Sequence, residues 1–271
     1  MTSDREPQLF VNRWGDTSDP SPESRGGRQE VCSCFNQYRP APRARVGFHA
    51  ERQDTSAPGW RRLLELIDEA VADGREEFRP LVELSPEERR QIVTLPSSIA
   101  RLTAVRHLVL YGSNLVRIPP EIGAMTDLEE FTSYTSYRLH WFPYELTRCA
   151  KLTRSTVSTR ALFGNYKLRP PFPRLRLRPG EDSVTDFDPG NLDPGRWGVT
   201  AIHRCSVCDG PIGRAGLHQR WISLQVATDV LPLLVNACSS ACVAALPRGA
   251  DDYLATPHSG GRVDQPSSDE D

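Results

Sequence analysis

Lysine is nearly absent from this chain. Of 33 basic residues, Lys151 and Lys167 are the only lysines and arginine supplies the rest. That bias fits GC-rich coding and carries no mechanism. The net charge of -2 argues against a chain that binds polyanions over its whole surface. No apolar run approaches the roughly 20 residues needed to cross a bilayer, and no secretory signal peptide precedes the first domain. The motifs of common catalysis are also missing. There is no G-x-S-x-G, no G-x-x-x-x-G-K phosphate loop, no H-E-x-x-H and no dinucleotide fingerprint. Scattered Asp and Glu do not amount to a carboxylate pair. The expectation is a non-enzyme. Seven cysteines with no export signal place it in a reducing, cytoplasmic compartment. There, spaced cysteines more often bind metal than form disulfides.

What is present is a register that returns after 23 residues. Leu95-Pro96, Ile99, Leu102, Val105 and Leu108 recur as Ile118-Pro119, Ile122, Met125, Leu128 and Phe131. A step of 24 then reaches Phe142-Pro143, Leu146, Cys149, Leu152 and Ser155. A fixed period of this size means one supersecondary unit stacked on copies of itself. Leu108-Val109-Leu110 and Phe131-Thr132-Ser133 alternate as short strands do. Pro96, Pro119 with Pro120, and Pro143 start the return segments, where a fixed φ suits a turn or helix start. Stacking puts the strands side by side, about 4.8 Å apart, in a parallel sheet. An ordinary amphipathic α/β segment is the plainer alternative.

Residues 95–115 read L-P-S-S-I-A-R-L-T-A-V-R-H-L-V-L-Y-G-S-N-L. This resembles the short bacterial form of the leucine-rich repeat family, L-P-x-x-I-x-x-L-x-x-L-x-x-L-x-L-x-x-N-x-L, over roughly residues 84–178. The turn asparagine of the family falls on Ser113, with Asn114 one residue late. The second copy carries an extra residue near 135–139. In the third, Ser155 and Arg160 replace an apolar and a turn residue. The resemblance implies an α/β fold: a short leucine-rich-repeat solenoid with a helical N-terminal cap, whose concave face binds a protein.

Composition divides the rest. Residues 1–58 are rich in Pro, Ser, Gly and Arg and read as disordered. Residues 59–94 read as the helical cap. Leu63, Leu64, Ile67, Ala70 and Val71 fall on one helical stripe, and Ser85-Pro86-Glu87-Glu88 reads as an N-cap, a first-turn proline and an acidic first turn. Repeats occupy 95–178, a linker 179–198, a small second domain 199–246 and a disordered acidic tail 247–271.

The second domain carries the strongest chemical signal. Cys205 and Cys208 are followed, after 29 intervening residues, by Cys238 and Cys242. Two closely spaced pairs suit tetrahedral zinc, each supplying two corners from one tight turn or helix start. Asp209-Gly210-Pro211 fits a knuckle. Residues 220–226 and 230–235 fit a hairpin, in which Trp221, Ser223 and Gln225 alternate with Ile222, Leu224 and Val226. Ser239 or Ser240 can cap a short helix over 241–246. This order resembles a treble-clef zinc finger, and C-S-S-A-C resembles the end of the FCS and TRASH-like finger families, with Ala237 where they carry an aromatic. Four protein ligands make the zinc structural. Buried thiols or two disulfides are the alternative. His203 and His218 lie near in sequence and read as surface residues or nearby supports. Cys32 and Cys34, with His49, could form a second metal site, though solvated thiols are the default. Cys149 reads as core.

Two surfaces could meet a partner. In register, the outward columns are His107, Val109 and Tyr111; Glu130, Thr132 and Tyr134; and Arg154, Thr156 and Ser158. Tyrosine and arginine are enriched in binding hot spots, although the columns could simply pair across strands. The other surface is the 160–178 edge, where Arg160, Lys167, Arg169, Arg174, Arg176 and Arg178 interleave with Phe163, Tyr166 and Phe172. Charge and stacking of this kind can bind single-stranded nucleic acid, or the basic edge could dock the acidic tail. The expected function is a protein-protein interaction module with a structural zinc finger. Nucleic-acid binding through the finger and the 160–178 edge is the alternative.

Overall fold

The computed structural model describes residues 49, 51–164, 172–173, 175–178, 181–185, 202–212 and 216–261. Cys32, Cys34, Tyr166, Lys167, Arg169, Arg174, most of the 1–58 and 179–198 segments and the acidic end after 261 lie outside them. Among the described residues the order is α1 (Pro58–Asp73), β1 (Glu77–Phe78), α2 (Pro80–Glu83), α3 (Pro86–Arg90), β2 (His107–Val109), β3 (Glu130–Thr132), β4 (Phe142–Pro143), β5 (Arg154–Thr156), β6 (Leu175–Arg178), β7 (Glu181–Thr185), β8 (His218–Val226), β9 (Asp229–Ala237) and α4 (Ser240–Ala244). No helix is long and apolar enough to cross a membrane.

Helix α1 starts at a proline, whose missing N–H is no loss in a first turn, and buries Leu63, Leu66, Ile67 and Ala70 on one stripe. It stops at Gly74, which takes φ 65° and bonds the Ala70 carbonyl, a left-handed cap that glycine adopts without strain. Helix α3 has the capping box its sequence calls for: Ser85 accepts from the Glu88 amide, and the Glu88 carboxylate accepts from the Ser85 amide. Residues before α1 also pack against these helices. The buried Gln53 side chain donates to the Gln91 carbonyl and accepts from the Val93 amide.

Strands β1, β2, β3 and β5 form an all-parallel sheet in that order. His107 pairs with Glu130 and Glu130 with Arg154, so the 23- and 24-residue steps are real register steps. Leu108 and Phe131 face inward at 1% and 0% exposure. Pro96, Pro119 and Pro143 each precede a 3-10 turn, at Ser97–Arg101, Pro120–Ala124 and Tyr144–Arg148. The loops between units are tied by serines at the same period. The Ser113 and Ser136 hydroxyls lie 2.7 Å apart, and Ser136 donates to the Leu110 carbonyl. Thr135, with φ 60° and its amide on the Ser158 hydroxyl, repeats one period later the left-handed turn that Gly112 makes at φ 69°. Asn114 instead reaches the Arg89 carbonyl of the preceding helix.

The expected leucine-rich-repeat solenoid with a helical cap and a separate treble-clef domain does not hold. Among the described residues there are four α-helices, three of them only four or five residues long, and the sheets are parallel, mixed and antiparallel. Strand β4 lies between β3 and β5 in sequence but leaves their sheet. It pairs in parallel with β9, placing Phe142 opposite Leu233 and Pro143 opposite Leu234. The long hairpin β8–β9 completes a mixed sheet of order β4-β9-β8. One continuous core then runs from Ala57 through Phe131 to Leu233 and Ala237. The parallel strands do not end in an open edge that would let further units stack. The hairpin tip covers β5, where Thr228 donates to the Ser155 carbonyl at 2.7 Å and the Ser155 hydroxyl lies 2.7 Å from the Asp229 carboxylate.

A second apolar cluster holds Trp141, Phe163, Phe172, Leu175, Trp221 and Leu234. Strand β6 pairs with β7 inside the stretch read as a linker. Residues 249–261 cover the outer edge of β8. The Ala250 amide meets the Ser223 carbonyl, and His258 and Trp221 exchange backbone bonds of 2.8 and 2.9 Å. His140 is buried at 1% exposure with Nδ1 on the Ala161 carbonyl. Burial, helped by the nearby His49, holds its pKa down to about 3.

Two outcomes follow from this packing. Leu108→Ala should cost about 2–5 kcal/mol through the cavity it leaves, and Ser155→Ala about 1–3 kcal/mol through the lost tip bonds, both read from urea midpoints. The His140 pKa lies below its ordinary 6.5, so the unfolded chain takes up the proton first. Its contribution is whole above about pH 6.5 and is lost as the pH falls toward 3, by up to about 1.4 kcal/mol per pH unit. His140→Gln should flatten that slope between pH 7 and 5, and an unchanged slope would assign the acid sensitivity elsewhere.

Candidate functional site

The four cysteines come together from three pieces of local structure. Cys205 and Cys208 sit on a turn closed by the Cys205 amide on the Gly210 carbonyl, at 2.8 Å, and the Asp209 amide on the Cys205 carbonyl, at 3.0 Å. Asp209 takes φ 58° to make it. Cys238 follows the last residue of β9, and Cys242 lies in α4, where its amide bonds the Ser239 hydroxyl that caps the helix. The four sulfurs all lie within 4.8 Å of one another. Cys208 to Cys238 and Cys238 to Cys242 are each 3.6 Å. A disulfide would need about 2.05 Å, and all four thiols are free. Tetrahedral zinc, with zinc–sulfur bonds of about 2.3 Å, has sulfur–sulfur edges of about 3.8 Å. This cluster could hold a metal ion, and turn, hairpin and short helix in that order are consistent with a zinc finger. His203 is exposed and His218 is buried on β8. Neither joins the cluster.

The electrostatics point the same way. Cys205 is fully buried, and its sulfur accepts from the amides of Val207, Cys208 and Cys238 at 3.4–3.5 Å. Burial opposes its ionisation, but these amides outweigh burial and bring its pKa down to about 7. Cys238 goes the other way, pushed up to about 12 by its hydrogen bonds with Cys242 and Cys208. One thiolate is favoured and a second beside it is not, so full ionisation of the set requires a cation among the sulfurs.

Residues outside the cysteine motif fix the cluster to the rest of the fold. Arg148, at the end of the 3-10 turn after β4, donates to the carbonyls of Cys205 and Ser206 at 3.3 and 3.1 Å and pairs with Asp209. Arg204 pairs with the same carboxylate at 2.6 Å. Ser206 exchanges bonds with the Asn236 backbone, and its side chain meets the buried Glu145. Sequence reading missed Arg148 and Glu145 because both lie about 60 residues from the cysteine turn, and 57 in the case of Arg148 to Cys205.

The residues read as outward columns of the parallel sheet differ in exposure. His107, Val109, Glu130 and Thr132 are half-buried, and Arg154 and Thr156 exposed. Tyr111 and Tyr134 are 40% and 46% exposed, with ring centroids 6.2 Å apart. Glu130 pairs with Arg154 and lies 3.9 Å from His107, so this column is also a cross-strand charge ladder. Ser158 does not belong to the face. It is buried at 7%, with its hydroxyl on the Thr135 amide. On the 160–178 edge, Phe163 and Phe172 are 0% and 3% exposed. They are packed around Trp221 and present no ring for a base to stack on. His49 pairs with Glu51 and stacks on His140. Its proposed partners Cys32 and Cys34 lie outside the described residues.

No protein-family model matches the chain, and no curated protein matches it.

Protein purified under reducing conditions should carry close to one zinc by elemental analysis. Cys238→Ser should lose it and expose residues 202–246 to protease, since a structural zinc site supplies on the order of 10 kcal/mol of apparent folding free energy. Metal near zero in the intact chain, or unchanged protease resistance in the variant, would refute this.

Proposed function

We propose that the chain is a non-catalytic binding protein with a structural zinc on Cys205, Cys208, Cys238 and Cys242, and that its parallel-sheet face binds a protein partner. Four sulfur donors complete a tetrahedral shell and leave no open position for a water or substrate, which is the mark of a structural site. Such a ligand set belongs in a reducing compartment.

The observation that carries the binding role is the tyrosine pair. Large aromatics are normally buried, yet Tyr111 and Tyr134 stand side by side and exposed in the turns that follow the adjacent strands β2 and β3. The ladder beside them satisfies its own charges, so the pair is the part of the face with most to gain from a partner. Exposed tyrosines of this kind anchor protein interfaces, with apolar rings to bury and hydroxyls for hydrogen bonds.

A pulldown with the full chain, followed by affinity measurement on the captured partner, tests the reading. Tyr111→Ala with Tyr134→Ala should fold normally and weaken binding by about 2 kcal/mol or more, roughly thirtyfold. Loss of fold comparable to Leu108→Ala would show that the rings are structural. Full-strength binding by a folded double variant would remove the face from the interface.

A further inference from the structure

The four sulfurs are chemically unequal. Cys205 is fully buried and shielded by three amides. Cys208 is exposed, with the Gly210 amide on its sulfur and room there only for a glycine, since a Cβ would sit 3.3 Å from that sulfur. Cys238 lies 3.6 Å away, within reach as a resolving thiol. Cys242 is equally close to Cys238 but is held in α4 by the Ser239 cap. Cys149 is remote from the cluster, buried, with its thiol pushed up to about 12 by that burial.

We propose that Cys208 is a hydroperoxide-reactive thiol, that Cys238 resolves it, and that the Cys208–Cys238 disulfide so formed releases the metal. This rests on the zinc reading above. In the first step the Cys208 sulfur attacks the distal peroxide oxygen. The O–O bond breaks, the alkoxide or hydroxide leaves and takes a proton from water, and Cys208 becomes a sulfenic acid. In the second, the Cys238 thiolate attacks that sulfur, an S–S bond forms, the S–O bond breaks and hydroxide leaves. The two sulfurs give up two electrons and the peroxide takes them, so no further oxidant is needed. Zinc then keeps two of four donors. The new disulfide keeps the turn that Arg148 grips through the Cys205 and Ser206 carbonyls tied to the end of β9, whereas Cys242 in α4 loses its link to that turn. Peroxide would thus free α4 from the cysteine turn.

The test uses the full chain, reduced and with its zinc content measured first. Hydrogen peroxide is added stepwise while a chromogenic chelator reads released zinc and peptide mapping reads the cysteines. The expected result is zinc release in step with a Cys208–Cys238 disulfide, one for one. A sulfenic-acid probe should label Cys208 first, Cys149 should stay unmodified, and dithiothreitol with zinc should reverse the change. A first disulfide between Cys238 and Cys242, one that includes Cys205, or cysteine oxidation with zinc retained would overturn the proposal, as would no reaction. Absence of zinc from the reduced protein would overturn the zinc reading instead. The same mapping on metal-free chain would then still decide whether Cys208 and Cys238 form the reactive pair.

Discussion

The pairing of Phe142 and Pro143 with Leu233 and Leu234 joins the parallel-sheet piece to a hairpin piece that is too small to hold a core well by itself. A piece of fewer than about 60 residues buries only about 60% of the surface its unfolded chain exposes. The hairpin segment alone is of that size. Parallel strands of three residues, such as β2, β3 and β5, cannot close a core on their own ends either. Once β4 leaves the parallel sheet to meet β9, both problems have one solution. Leu231, Leu233 and Val235 fill the same interior as Ile122, Leu128 and Leu146.

The cysteine cluster is therefore a fastening as well as a local staple. Metal would tie the start of the segment, at Cys205, to its end at Cys238 and Cys242. Arg148 ties the same turn to the 3-10 turn that follows β4. At the other end of the hairpin, Thr228 and Asp229 hold Ser155. Hydrogen bonds such as these contribute about 1 kcal/mol each, far less than a zinc site. The metal would dominate the hierarchy, and the hairpin would carry its effect from the sulfurs to strand β5, whose Arg154 and Thr156 flank the tyrosine face.

Much of this was legible in the sequence where the signal was local or strictly periodic. The 23-residue step placed His107 beside Glu130 and turned Leu108 and Phe131 inward. The Ser85–Glu88 box and the Ser239 cap sit where their residue types demand, and cysteine spacing located the cluster. What stayed hidden was long-range pairing. Phe142 meets a strand 91 residues away (142 to 233), and no local pattern distinguishes a proline that starts a turn from one that also ends a strand. Ser155 shows the cost of reading periodicity alone. It breaks the apolar repeat, so it reads as decay of the pattern. In the fold it is polar because a hairpin tip lands on it. Phe163 and Phe172 misled in the opposite sense. Interleaved with arginines they read as a stacking surface, but the partner that buries them, Trp221, comes about fifty residues later.

The same contrast explains why the tyrosine pair and not the charged column is the better guide to recognition. An exposed ion pair contributes about 0–1 kcal/mol and is screened by salt, and Glu130 already has both Arg154 and His107 within the sheet. A partner that displaced either would have to replace what it removed. Two exposed rings with centroids 6.2 Å apart offer apolar area instead. Their apolar faces gain about 25 cal/mol for each Å² taken out of water. The Gly112 amide bonds the Tyr134 carbonyl at 2.9 Å and ties their two turns together, which lowers the conformational entropy lost on contact. Charge on this face would set the orientation of an approaching partner, and the tyrosines would supply most of the affinity.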